Sequence, residues 1–213
     1  LRLTKSEIRP EQVAGARMLH IDGCDVEAAA CAASIAREHR VPVSLDVDTV
    51  YPGFDCVLEN TDYLVAGSDW LHKWTGKADP FAALEMLQAA YGMRVAASTL
   101  GEGGALALEN GCWAYSPGFQ VAAVDTTGAG DVFHGAFCCA VLEGMALERA
   151  LEFSNAAAAI NCTAVGARGH IPSRGEIDAL TLAACNKSGA RSAAAEIAER
   201  LPVRALRAPR PAS

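Results

Sequence analysis

What most constrains this chain is its rhythm, in which short apolar runs alternate with stretches of helical spacing. MLHID (18–22) is followed by helical spacing from Val26 to Glu38, and VPVSLDVD (41–48) reads as a buried strand ending in carboxylates. DYLVA (62–66) is another short run, Phe81 to Tyr91 is helical, and RVAAST (94–99) is strand-like up to the glycine cluster GEGG at 101–104. In ALALENGCWAYS (105–116), Asn110-Gly111 between apolar runs predicts a hairpin. FQVAAV (119–124) predicts a further strand, and apolar residues at 132, 133, 136, 137, 140 and 141 predict a helix over Val132–Leu142. Leu147–Cys162 reads as an Ala-rich helix, and another is expected from Arg174 to about Ala184.

Alternation of this kind predicts an α/β fold: a Rossmann-like, mostly parallel sheet in three αβα layers, with helices on both faces. The 213 residues suffice for one such domain, expected over 1–185. A tail is expected over 186–213, helical near 190–200 and then Pro-rich and disordered. Ligands of open α/β sheets sit outside the carboxyl ends of strands. The loops after Asp46, Ser98 and Val124 are therefore expected to share one crevice.

A formal charge of −7 supplies no whole-chain field for nucleic acid, and the basic residues at 191–210 read as a solvated tail. The eight cysteines include no CxxC, so neither a disulfide framework nor a metal knuckle is expected. Nothing at the start reads as a signal peptide, and no apolar run is long enough to span a bilayer. A soluble, cytoplasmic protein is expected.

The stretch that carries chemistry is DTTGAGDVFHGAF, Asp125 to Phe137. It falls where a strand meets a helix, so its amides are the unpaired donors of a helix N-terminus. Small residues at 128, 129 and 130 let an anion approach the backbone, and the macrodipole favours negative charge there. Asp131 sits in the first turn, beside that anion hole, where phosphoryl transfer needs positioning and charge stabilisation. The plainer reading is that Thr126 or Thr127 caps a helix after a tight glycine turn; from these residues alone both readings stand. A Rossmann GxGxxG would need glycine at Phe133, and Gly76-Lys77 lacks the rest of a P-loop.

DTTGAGDVFHGAF resembles the carboxy-terminal signature of the PfkB/ribokinase-like carbohydrate kinases. STLGEGGA (98–105) resembles that family's nucleotide loop, and SNAAAAINCTAVGARGHIPS (154–173) its Ala-rich helix and following loop. The three motifs keep the family's order, and the resemblance runs from about His20 to about Ile177. It implies ATP-dependent phosphorylation of a sugar or similar alcohol, with Mg²⁺ accompanying ATP. Asp131 would be the general base, and the amides of Gly128, Ala129 and Gly130 the anion hole. Thr99, Leu100, Gly101, Glu102, Gly103 and Gly104 would contact the nucleotide together with Gly130, and Asn155 would lie on its adenine side. A monovalent cation, K⁺, would be held by Asp125, Thr127, Asn161, Ala164, Gly166 and His170, mostly through backbone carbonyls. His170 stands where a small hydroxyl residue is common.

The resemblance also has gaps. The family's Asn-x-x-Glu motif, associated with divalent metal and phosphate, should follow DYLVA, where this chain has Gly67, Ser68, Asp69 and Trp70. Asp69 is one substitute; ATP, water and Asp46 or Asp48 are the other expected holders of Mg²⁺. The family's amino-terminal strands, sugar-binding signature and β lid have no counterpart, which leaves a second expectation: a nucleotide-binding remnant, or one part of an assembly. A homodimer is among the assemblies open to it; nucleic acid and membrane are not expected partners. His134 reads as a polar helix residue rather than a pocket wall, Arg168 as a solvated loop residue, and Trp70 and Trp74 as packing.

Overall fold

The computed structural model describes residues 2–185, and the expected tail over 186–213 lies outside them. The chain divides into two units. The first runs to Thr99 and takes in Leu142–Gly144; the second holds Leu100–Val141 and the chain from Met145 onward.

In the first unit β1 (Leu19–Ile21), β2 (Val43–Val47), β3 (Tyr63–Gly67) and β4 (Val95–Thr99) pair in parallel and in chain order. Leu19 lies opposite Val43, Ser44 opposite Tyr63, and Tyr63 opposite Val95. Parallel neighbours need crossovers, supplied here by α2 (Val26–Glu38), α3 (Asp55–Leu58), α4 (Ser68–Thr75) and α5 (Pro80–Tyr91); a short α1 (Pro10–Ala14) precedes β1. Val43, Ser44, Leu45, Leu64, Val65 and Ala66 are all buried, so successive side chains of β2 and β3 are covered on both faces; β3 is an unbroken apolar run, whereas β2 carries Ser44 and Asp46 between its apolar residues. Gly76 and Gly92 end α4 and α5 in the left-handed conformation, and Asp79 caps α5 just before Pro80.

Neither α3 nor α4 is legible in the sequence, because four and eight residues are too short to show a period. What holds α4 is aromatic. Trp70 is 0% exposed and stacks on Trp74 with ring centroids 5.3 Å apart. Phe54 meets both rings edge-on, and the Trp70 indole N–H donates to the Thr49 carbonyl at 3.2 Å. The packing role expected of this pair is what the structure has.

In the second unit β5 (Ala105–Glu109) and β6 (Cys112–Ser116) form the expected hairpin. Asn110 and Gly111 both have positive φ, 50° and 76°, the requirement of a type I′ turn. α7 (Leu147–Asn161) packs on both strands and buries Leu151, Ala156, Ala157 and Ile160. α8 (Arg174–Cys185) packs on α7: Ile177 and Thr181 are buried, Arg149 pairs with Asp178 at 3.7 Å, and the Arg174 guanidinium lies over the Phe153 ring. α6 (Ala129–Leu142), all but its last residue, completes the unit.

One expectation fails. Residues 119–124 are not a strand: the Val124 and Asp125 amides donate to the Cys162 carbonyl at the end of α7, and Val124 is 62% exposed. A single carbonyl takes both amides, so no ladder forms, and the apolar letters there do not mark burial. The loop before α6 therefore does not follow a strand. No helix among the described residues is long and apolar enough to cross a membrane.

Candidate active site

The DTTGAGD segment lies wholly in the second unit and is built around Asp125. One carboxylate oxygen accepts the Thr127 amide at 2.9 Å and the Thr127 hydroxyl at 2.7 Å; the other accepts the Gly166 amide at 2.8 Å. The first two bonds close an Asx turn, and the third ties that turn to the loop between α7 and α8. All three favour the anion: the Thr127 amide most, then its hydroxyl, then the Gly166 amide hold the Asp125 carboxyl below its ordinary value.

Gly128 follows with φ at 81°, and a methyl group there would lie 2.7 Å from the Cα and carbonyl oxygen of Ala167. Only glycine lets the two backbones come this close. Helix α6 then starts at Ala129, whose amide turns back to the Thr126 carbonyl at 3.2 Å. Gly130 and Asp131 are exposed in the first turn, where helix amides have no intrahelical acceptor. Around Gly130 the volume that a methyl group would fill is open. Asp125 thus shapes the turn, the Ala129 amide is spent on the Thr126 carbonyl, and Gly130 and the Asp131 carboxylate stand exposed at the head of α6.

The loop from 162 to 173 is held from α7 by Asn161, which is fully buried. Its side-chain amide donates to the carbonyls of Ala167 and His170, both at 3.2 Å, while its Oδ1 is buried without a partner. That orphaned oxygen is a donor atom of the type that an oxygen-seeking cation could use. The His170 ring is turned the other way: Nε2 lies 2.9 Å from Glu176 and Nδ1 3.5 Å from the Thr163 hydroxyl, so of His170 only the backbone faces Asn161. Ala164 donates to the Asn161 carbonyl at 3.3 Å, and Arg168 is exposed.

The glycine cluster after β4 is a tight 3₁₀ turn, Gly101–Gly103, rather than an open cradle. The amides of Leu100, Gly103 and Gly104 are all spent inside it. A methyl on Gly104 would lie 2.1 Å from the Ser116 carbonyl, and one on Gly118 2.3 Å from that of Glu102, so the turn sits directly on segment 116–118. Gly101 and Glu102 remain exposed. Asn155 holds the same segment from α7, donating to the carbonyls of Ser116 at 2.9 Å and Pro117 at 3.4 Å. One helix therefore anchors both parts of the site, through Asn155 and Asn161, which six residues separate by about 9 Å along its axis. Thr99, by contrast, ends β4 in the first unit, opposite Gly67.

A sequence comparison decides the family. The pattern described as pfkB family carbohydrate kinase matches residues 3–174. The chain belongs to that family. Ribokinase of Haemophilus influenzae is 34% identical over 149 residues, 68% of this chain and 49% of the relative. A candidate ribokinase from Agrobacterium tumefaciens superposes with a TM-score of 0.79 at 29% identity, over 87% of this chain and 62% of that one. The structure of Arabidopsis thaliana ribokinase complexed with ribose and ATP matches with a TM-score of 0.74 at 26% identity, over 84% and 60%. This pfkB-family chain spans about half the length of the curated relatives it matches over most of its own length.

Family membership sharpens the departure after β3. Trp70 is locked in the aromatic stack and Gly67 has no side chain, so neither can serve a divalent ion; Asp69 is exposed in the first turn of α4. Of Gly67–Trp70, Asp69 alone offers a carboxylate. His134, expected as a polar helix residue, is instead 5% exposed and set edge-on against Phe133. Residues that sequence reasoning missed are Ser116–Gly118, Ala167 and Glu176. Of these only Glu176 carried a signal, the Ser-x-x-Glu pattern of a capping box at Ser173.

Proposed function

We propose that this chain acts in ATP-dependent phosphorylation of a sugar or sugar-like alcohol, with Asp131 as general base and the Gly128–Ala129–Gly130 turn as anion hole. The observation that carries this reading is an exposed carboxylate in the first turn of α6, beside amides with no intrahelical acceptor and open space at Gly130. Asp131 accepts the proton of the acceptor hydroxyl as its oxygen bonds to the γ-phosphorus of ATP. The bond from that phosphorus to the β–γ bridging oxygen breaks, and ADP leaves. The helix-terminal amides meet the negative charge spread over the equatorial oxygens, where preorganised donors act without reorganising.

ATP supplies the phosphoryl group. The exposed Gly101 and Glu102 would meet it, with Thr99, Leu100, Gly103 and Gly104 shaping the turn and Asn155 fixing the segment beneath. A monovalent cation such as K⁺ would be held by Asp125, the Asn161 side chain and carbonyls of the 164–170 loop, adding positive charge next to the anion hole. Mg²⁺ would arrive with the nucleotide, with Asp69 as the one carboxylate that the β3–α4 turn offers it. The departure from the family's Asn-x-x-Glu, with Gly67 and Trp70 at its two named positions, favours a second reading, nucleotide binding without turnover.

Coupled detection of ADP release separates the two, with ribose as the first sugar because the Arabidopsis thaliana relative binds it with ATP. Turnover with any sugar sinks the second reading; measurable ATP binding with no turnover across a sugar panel sinks the first. In an active preparation, Asp131→Asn is expected to lower kcat by at least about 10²-fold while ATP binding persists. Near-normal turnover of that variant removes Asp131 from the role of base.

A further inference from the structure

The α7–α8 loop is fastened at both ends, and its far fastening has no part in the chemistry assigned above. At the near end Asn161 grips the carbonyls of Ala167 and His170. At the far end His170 Nε2 lies 2.9 Å from Glu176 Oε1. The other oxygen of Glu176 accepts the Ser173 amide at 2.8 Å and the Ser173 hydroxyl at 2.7 Å. A capping box uses only that second oxygen. Oε1 is committed to the imidazole.

Glu176 is itself held in place, because α8 is fixed to α7 by buried Ile177 and Thr181, by the Arg149–Asp178 pair and by Arg174 over Phe153. Between the two fastenings lie the two residues that touch the anion-hole turn: Gly166, whose amide reaches Asp125, and Ala167, against which Gly128 is pressed. Their neighbours Val165 and Arg168 are exposed, so the loop has little apolar packing of its own to keep it seated.

We propose that Glu176 is a positioning residue for the anion hole: by holding His170 it keeps Gly166 and Ala167 seated against the Asp125–Gly128 turn. Glu176 touches no reacting atom. The inference rests on the kinase reading only for what the seated turn does, since a misplacement of about 1 Å costs on the order of 10²-fold in rate.

Hydrogen exchange at the Gly166 amide, followed by NMR on the full chain, tests it. Glu176→Ala and His170→Ala should each speed that exchange about tenfold or more, as expected for loss of one charge-assisted bond. The double variant should be no faster than the faster single one. Ser173→Ala, which removes the cap hydroxyl and spares the Glu176–His170 bond, should leave Gly166 unchanged. His170→Gln keeps a donor toward Glu176 and should retain slow exchange. Amides of the β5–β6 hairpin should exchange at wild-type rates throughout, which separates unseating from unfolding. Equal effects of Ser173→Ala and Glu176→Ala, with His170→Ala silent, reduce Glu176 to a helix cap and overturn the proposal. In an active preparation Glu176→Ala should lower kcat more than it raises the KM for ATP. A wild-type chain without turnover counts against the kinase reading alone, and Gly166 exchange still decides the positioning role.

Discussion

Gly128 and Gly130 sit two residues apart in one turn, yet a methyl group should affect them in opposite ways. At Gly128 it meets the Ala167 backbone at 2.7 Å with φ at 81°, so Gly128→Ala is expected to cost at least about 1–3 kcal/mol, read from the urea midpoint. At Gly130 it meets nothing, and alanine is the better helix former by up to about 1 kcal/mol. Gly130→Ala should therefore fold as well as the parent or better, while turnover falls because the methyl stands where the anion approaches. Full turnover in a stable Gly130→Ala protein would remove Gly130 from the anion hole. The pair would divide a single motif into the glycine that the backbone needs and the glycine that the proposed chemistry needs.

At the scale of elements, the β3–α4 turn shows how a family position can be taken over by packing. Trp70 lies where the family resemblance puts an acidic residue, and it is stacked, edge-packed and hydrogen-bonded. Trp70→Glu should cost about 3–5 kcal/mol, as core truncations of tryptophan do, whereas Trp70→Phe should cost clearly less. Equal urea midpoints for the two variants would show that the stack does not hold α4. Long periodic elements were legible in the letters: α2, α5, α6, α7 and α8 fall where the spacing put them, as do the four parallel strands and the Asn110-Gly111 hairpin. α3 and α4 were hidden by their shortness. The run at 119–124 misled because apolar letters alone do not supply a partner strand. In the site, the Asp125–Asp131 turn was legible because its meaning is local. The pressure of Ala167 on Gly128, and of segment 116–118 on Gly104, is contact between distant backbones that no local pattern encodes.

For the molecule as a whole, two titrating groups, Glu176 and Tyr91, sit in different units and push stability in opposite pH directions. In the second unit, bonds from the Ser173 amide, then its hydroxyl, then His170 bring the Glu176 carboxyl down from 4.5 to about 2. A lowered carboxyl stabilises fully above its ordinary value, and that contribution fades as pH falls from about 4.5 towards 2. In the first unit, burial and then the bond to Asp55, 2.6 Å long, push the Tyr91 hydroxyl up from 10 to about 12. A raised phenol stabilises fully below about 10, and that contribution fades as pH rises towards 12. Urea midpoints measured across pH should fall on both limbs, with Glu176→Gln flattening the acid limb and Tyr91→Phe the alkaline one. An unchanged acid limb in Glu176→Gln would refute the first assignment, and an unchanged alkaline limb in Tyr91→Phe the second.

The stacked indoles of Trp70 and Trp74 have a practical consequence. The chain has three tryptophans; these two lie in the first unit, and Trp113 lies in the second, buried in β6. Two parallel rings 5.3 Å apart form a coupled chromophore. Each unit thus has its own optical signature, and circular dichroism of the pair beside fluorescence of a Trp70→Phe/Trp74→Phe protein lets either unit be followed without attaching a label.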